Sequence, residues 1–474
     1  MRIDNSSKFW FLLLLLLLVA NSVMPITADE AYYLTWTKQL SWGYFDHPPL
    51  VAWWAQFSRE FSPRSPFILL LLLTLFVARK KQLYPLLLAT PGAHLLIGGV
   101  LPDTLMIASG FFLLWRFKKW EQEDNFINAV LLGLGIGLLG LAKYHGILLI
   151  VALATGFWSL RKRGSLYLAI FVGMLIITPH LWWQYEHEWV SFRYHLSGRF
   201  IAGKPWYATL GLISGLLILW WPLLVVFKRL PIWSRTLAIL TVSMMVWAGL
   251  RGSVEVHWSL VLLWIIPEVR LAQVNFAKFL ERFIPPLAIA LGVAHLFLVL
   301  PWVQGEFGLD EHFRKEVAEV DEQLPVVFLD SYQDAALYEF YFDRPSYSLM
   351  HPGIRLSQYN LGEYPFEGDT VAIYNRMSMG HRVEGTPFYR MERVVHDLSD
   401  LEIEVGPQLV RAAQEVPAGY RWVVYAFSGR EMIEREELGP GNRPVKLPEM
   451  QEGVDRFITL EKRWVPSQLW VKLD

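Results

Sequence analysis

The sequence predicts a mainly α, polytopic membrane helical bundle of about eleven spans, followed by a C-terminal extracytoplasmic α/β domain. Three observations predict it. Of 474 residues, 54% are hydrophobic, only 18% are charged and 22 are tryptophan, the composition of an integral membrane protein. Apolar segments of spanning or near-spanning length recur through the first two thirds of the chain. More than half of the charged side chains lie beyond residue 304, which divides the chain into a membrane body, 1–304, and a polar domain, 305–474, of ordinary soluble-domain size.

The expected spans lie near residues 9–25, 66–79, 82–101, 103–117, 127–142, 146–160, 165–183, 207–227, 235–250, 257–268 and 284–303. Arg2 and Lys8 precede the first of them, and an uncleaved first helix is preferred to a cleaved signal peptide because so many apolar segments follow. Cationic clusters at Arg79-Lys80-Lys81, Arg116 to Lys119, Arg161-Lys162-Arg163, Lys228-Arg229 and Arg270 to Arg282 all fall on the cytoplasmic side if the N-terminus does, as the positive-inside rule requires. The expected location is therefore the cytoplasmic (inner) membrane, with loops 26–66, 101–103, 143–145, 181–206 and 251–258 and the C-terminal domain outside. In that domain Val326–Leu329, Thr370–Tyr374 and Arg421–Phe427 read as buried strands, and Tyr332–Phe342 has helical spacing.

Cysteine is absent and net charge is −1. Disulfides, thiolate metal sites and cysteine nucleophiles are thereby excluded, and no basic surface calls for nucleic acid.

The first outer loop reads "DEAYYLTWTKQLSWGYFDHPPL" from Asp29 to Leu50. Thr27 followed three residues later by Glu30 forms a capping box, and Tyr33, Trp36 and Leu40 continue at helical spacing. Asp29 and Glu30 thus start a helix; capping alone would account for them. Pro48 and Pro49 stiffen the exit of the loop and fix where Asp46 and His47 sit. Other outer loops add complementary charge: Asp103 behind Pro102 at the start of a span, Lys143 beside Tyr144 and His145, Arg193 and Arg199 around "RYHLSGR", and Arg251 with His257. Each has an ordinary role, as a helix cap or a snorkelling side chain. Gathered at one membrane face, they suit an anionic lipid headgroup held beside a carboxylate. A carboxylate can take the proton of an attacking hydroxyl while a cation stabilises a departing phosphate, which are the requirements of glycosyl transfer from a lipid-linked phosphosugar.

These motifs, with "LPDT" at 101–104, "LAKYHGILL" at 141–149, "TPHLWWQYEHEWVSFRYHLSGR" at 178–199, and "SYQDAALYEFYF" and "RLSQYNL" in the tail, occur in the order found in a known family. The chain resembles the bacterial GT-C glycosyltransferases related to dolichyl-phosphate-mannose protein mannosyltransferases and lipid A aminoarabinose transferase. The resemblance implies a GT-C type bundle and an inverting hexosyl or pentosyl transferase. The donor it implies is a polyprenyl-phosphate-linked sugar, the acceptor a hydroxyl on a lipid, glycan or protein. It carries the catalytic acids to Asp29, with Glu30 beside it, and to Asp103, and the donor phosphate to Lys143 and Arg199. Tyr144 and Arg251 are grouped with the phosphate ligands, and Asp46, His47 and His257 are expected to support the substrate site. Some members hold a divalent metal near the acids; the spacing here closes no ligand set, so no metal ligand is assigned and a metal stays open. Arg355 and Gln358 have an ordinary surface role as alternative to lining the site.

The rival reading is a polytopic transporter or lipid flippase, which would place ionisable groups at mid-membrane on broken helices. Thr90-Pro91-Gly92 with His94 is the one interruption that fits it, and most charges instead fall at span ends.

Overall fold

A computed structural model describes residues 5–22, 24–59, 62–78, 83–95, 98–198, 206–251, 254–271, 277–297, 324–351 and, with short gaps, most of 355–473. The chain divides into two compact units: Met1–His195 with Gly203–Asp310, and Leu196–Ala202 with Glu311–Asp474.

The first unit is helical. Its helices are α1 (Asn5–Ser22), α2 (Ala28–Thr35), α3 (Leu50–Ala55), α4 (Ser65–Ala78), α5 (Leu83–Leu88), α6 (Pro102–Gln122), α7 (Phe126–Ala142), α8 (Ile147–Gly156) and α9 (Gly164–Glu186). There follow α10 (Val190–Arg193), α11 (Trp206–Leu219), α12 (Trp221–Val226), α13 (Ile232–Arg251), α14 (Ile266–Leu271) and α15 (Ala277–Phe297). Among the described residues, α9 and α13 are long and apolar enough to cross a membrane, and the pair 209–219 and 221–229, bent by 75° at its break, passes the same test only when taken together. The remaining expected spans are shorter, interrupted or, as in the unbroken 21-residue α6, richer in charge. The segment expected at 207–227 breaks at Trp220, where Pro222 in the next helix supplies no backbone N–H. The one expected at 82–101 ends as α5 at Leu88 and resumes as a 3₁₀ turn, Pro91–Leu95; Pro91 opens this second piece. The one at 257–268 is mostly a 3₁₀ helix, Val256–Ile265.

Only 17% of the apolar stretch of α9 is buried. Its outward face, with Phe171, Leu175 and Trp182 more than half exposed, is the surface a lipid-facing helix presents. Its inner face packs on α7 through glycines: a Cβ at Gly137 would lie 2.6 Å from Ile176, so only glycine permits this approach.

In the second unit the expected strands and helix are present. Strands β1 (Val326–Leu329), β2 (Ser346–Leu349), β3 (Thr370–Asn375), β4 (His381–Arg382) and β5 (Tyr389–Val394) form a sheet of order β2-β1-β3-β5-β4. Its first three strands are parallel. Helix α16 (Tyr332–Phe342), N-capped by Ser331, crosses from β1 to β2. The rest is antiparallel: β6 (Ile403–Val405) and β7 (Leu409–Ala412) with β10 (Val445–Lys446), and β8 (Arg421–Ser428) and β9 (Glu431–Pro440) with β11 (Asp455–Lys462) and β12 (Val465–Leu473). Beyond the βαβ portion the described part of this unit is strand-rich.

Candidate active site

Helix α2 begins as its sequence dictates. The Thr27 hydroxyl accepts from the Glu30 backbone N–H, and the Glu30 side chain reaches back to the Thr27 backbone N–H at 3.0 Å. Capping is only part of what Glu30 does. Its Oε1 accepts from Arg64 Nε at 2.7 Å and from the Val100 N–H at 2.9 Å, and its Oε2 from the second arm of the same guanidinium. Arg64 also donates to the carbonyls of Asn21, Met24 and Pro25, so one buried pair ties the end of α1, the start of α2, the start of α4 and the turn before α6. Burial alone would raise the Glu30 pKa. Arg64, by hydrogen bond and by charge, together with the Thr27 and Val100 N–H groups, outweighs it and holds the carboxyl below its usual value of 4.5. Gly99 makes room: a Cβ there would fall 2.7 Å from Glu30 Oε1.

Asp103 lies in the first turn of α6, where the helix dipole favours a negative charge. Lys143 is the extended residue that ends α7. Its ammonium donates to both oxygens of Asp103, at 2.8 and 2.7 Å, and the two side chains are 3% and 6% exposed. Two charges this deeply withdrawn from water are stable only as a pair. His257 Nε2 stands 3.9 Å from Asp103 Oδ2.

A third group of side chains closes on the first loop. His180 Nδ1 is 2.8 Å from the Trp42 carbonyl, and its Nε2 is 3.1 Å from the Tyr144 hydroxyl. Gln184 Nε2 donates to the Tyr144 oxygen at 3.1 Å and to Ser191 Oγ at 2.7 Å, and Ser191 donates to the Tyr44 carbonyl at 2.8 Å. His195 Nε2 donates to the Asp46 carbonyl at 2.7 Å. Asp46 and His47 are both buried, at 1% and 8% exposure, and the His47 ring lies 5.8 Å from that of His195. Burial pushes the Tyr144 hydroxyl well above the phenol range, against a lowering contact with Ser191; Asp46 pushes the same way as burial. Tyr44, stacked on Trp36 at 4.3 Å, is pushed up to about 12 by burial.

An apolar groove of about 470 Å³ runs along α6. Its lining on α6 begins at Leu105 and continues to Lys118, a helix length of about 20 Å; Asp103, two residues before Leu105, lies about 200° round the helix from it and, like Lys143, is not part of the lining. Leu50 and Trp54 of α3 border it, as does Trp264, and the Lys118–Glu268 ion pair lies at the far end.

The expected site residues thus fall into distinct places. Asp103, Lys143 and His257 come together; Tyr144, Asp46 and His47 lie in the neighbouring loop cluster. Asp29 is exposed on the first turn of α2 while Glu30 points inward. The carboxylate that meets Lys143 is that of Asp103. Arg251, exposed at the end of α13, lies over the Trp247 ring at 4.8 Å. Arg199 lies outside the described residues. In the second unit the Arg355 guanidinium packs over Tyr332. Among the described residues no group of three or more His, Cys, Asp or Glu is arranged to hold a metal ion. Arg64, Gln184, His180 and Ser191 were not singled out from the sequence. Arg64 carried one signal, a cation in an outer loop where positive-inside statistics disfavour it.

No protein-family profile matches the chain. Over 188 residues it is 23% identical to lipid A galacturonosyltransferase RgtD of Rhizobium johnstonii, a stretch covering 35% of this chain and 40% of that protein. The match therefore spans less than half the length of that curated relative. In three dimensions the chain is similar to ArnT from Cupriavidus metallidurans, solved bound to undecaprenyl phosphate. The TM-score is 0.56 at 13% identity, over 77% of this chain and 91% of that one. At this identity the likeness is one of fold. The resemblance to GT-C glycosyltransferases drawn from the motifs holds, in fold through ArnT and in sequence through RgtD.

Proposed function

We propose that the protein is an inverting glycosyltransferase of the inner membrane, moving a sugar from a polyprenyl phosphate to a hydroxyl of a lipid acceptor of the lipid A kind at the outer face. Residues 1–304 form its membrane domain and 305–474 an extracytoplasmic domain. The observation that carries this reading is a buried carboxylate–ammonium pair, Asp103 with Lys143, at the start of a helix, α6, whose other face lines an apolar groove about 20 Å long. A phosphate on a long hydrocarbon tail calls for both kinds of surface, a cation for its head and an apolar face for its tail. The ArnT fold, known with undecaprenyl phosphate bound, and the RgtD likeness, with lipid A in its name, support the donor and acceptor classes.

The chemistry follows from the groups present. The acceptor oxygen attacks the anomeric carbon as the bond from that carbon to the phosphate oxygen breaks, and the electron pair leaves with the phosphate. Lys143 keeps one Asp103 oxygen and turns an N–H toward the phosphate, stabilising charge where it grows. Asp29, exposed on α2, takes the acceptor proton. Glu30, with its oxygens engaged by Arg64, Thr27 and Val100, positions Asp29 and acts as neither acid nor base. Tyr144, its hydroxyl bonded to His180 and Gln184, positions Lys143.

The test is transfer by purified protein in proteoliposomes from an undecaprenyl-phosphate-linked sugar to a lipid A-type acceptor. Asp29→Asn should abolish transfer with donor binding retained. If wild-type protein bound no polyprenyl phosphate, the proposal would fail.

A further inference from the structure

We infer that Gln184 is a positioning residue for this reaction, clasping the first loop against the Lys143 turn through the directed hydrogen bonds of a single amide. The inference rests on the proposed reaction only for what the clasp serves; the clasp itself follows from proton bookkeeping.

Both ends of the chain of bonds are backbone carbonyls of one short segment, Trp42 and Tyr44. A carbonyl only accepts, so His180 must carry its proton on Nδ1 and Ser191 must turn its hydroxyl proton to Tyr44. A neutral His180 then has a bare Nε2, which takes the Tyr144 proton at 3.1 Å. The oxygens of Tyr144 and Ser191 are left as acceptors, and both face Gln184 Nε2, at 3.1 and 2.7 Å. Of the side chains in this chain of bonds, the amide of Gln184 alone carries two donors on one atom, and it uses both. Flipping it would set Oε1 against two oxygens whose protons are already committed. Gln184 is fully buried, and its Oε1 accepts no hydrogen bond from a described group. An unmet buried acceptor is costly, so the geometry keeps this orientation against a local penalty.

Three segments are fastened in this way. The Tyr144 arm holds the turn that presents Lys143, the Ser191 arm holds α10, and both lead to the loop that carries Asp46. His195 adds a bond to the Asp46 carbonyl, and Gly43 lies against Trp183, where a Cβ would fall 2.3 Å from the ring. The loop is thus held by His180 and Trp183 of α9, by Ser191 of α10 and by His195 just beyond it.

Gln184→Glu keeps the shape and replaces the two-donor nitrogen with an acceptor oxygen. Hydrogen exchange of the ligand-free protein in nanodiscs should show the 42–47 amides exchanging at least tenfold faster, with α7 and α13 unchanged. In transfer assays kcat should fall at least tenfold while KM for the polyprenyl donor changes less than threefold. Ser191→Ala, which cuts one arm, should loosen the same amides if Gln184→Glu does not fold. Gln184→Asn, with the amide one methylene short, should lie between wild type and Gln184→Glu. Unchanged exchange at 42–47, or loosening spread evenly over the membrane unit, overturns the clasp. A clasp that behaves as described in a wild-type protein without transfer activity overturns the reaction and leaves Gln184 a purely structural fastener.

Discussion

Replacing Lys143 by Met should destabilise the protein far more than replacing both members of its ion pair. Lys143 and Asp103 are 2% and 4% exposed, and the ammonium gives two bonds of 2.8 and 2.7 Å to the carboxylate. Without the lysine, Asp103 remains buried with His257 3.9 Å away, too far for a hydrogen bond. Removing one partner of such a pair costs about 3–5 kcal/mol, a change of roughly two to four orders of magnitude in the folding equilibrium. Asp103→Asn alone strands the ammonium and should cost a similar amount. The Lys143→Met/Asp103→Asn double variant buries no charge and should lie within about 1 kcal/mol of wild type. The assay is reversible unfolding in mixed micelles for all four proteins, with transfer measured in parallel; all three variants should be inactive. A double variant no more stable than the singles, or a stable Lys143→Met, would refute the buried pair and the site built on it.

Acid should weaken the Glu30–Arg64 clamp. Because the folded pKa of Glu30 lies below its usual 4.5, the clamp contributes fully above that value and fades as the pH falls through the lower folded value. Unfolding midpoints measured from pH 6 down to 3 should drop in the wild type, and Glu30→Gln/Arg64→Met should flatten that drop. Gly99→Ala puts a Cβ 2.7 Å from Glu30 Oε1 and should cost about 1–3 kcal/mol by crowding, read from the same unfolding assay. Ala108→Phe fills part of the groove lining. Losing one apolar contact of that size, about 1.5 kcal/mol, should raise the donor KM roughly tenfold with kcat little changed, as steady-state kinetics would record.

What could be read from the sequence was what is local. The Thr27–Glu30 capping box is an i, i+3 pattern, and it is present with both reciprocal bonds. The 332–342 helix and the 326–329 strand likewise announce themselves by their apolar pattern. The partner that makes Glu30 a clamp stands 34 residues away, and the partner of Lys143 stands 40 away; spacing along a chain does not encode either meeting. Motif order pointed to Asp103 and Lys143 separately, each for its own task, without revealing that they bond each other. Hydropathy found the apolar segments, but apart from the break at Thr90-Pro91-Gly92 their interruptions went unseen, because a 3₁₀ stretch such as Val256–Ile265 is as apolar as an α-helix. Gln184 escaped notice because a glutamine in an aromatic-rich span end has no signature until the protons of its neighbours can be assigned.

The central claim is that a sugar leaves a polyprenyl phosphate for a lipid hydroxyl at this site. Mass spectrometry of the glycolipids from cells with and without the protein, and from cells carrying Asp103→Asn, tests it most directly. The account predicts that one lipid A-type species loses the mass of a single sugar in both deficient strains. Identical glycolipid profiles in all three strains would contradict it.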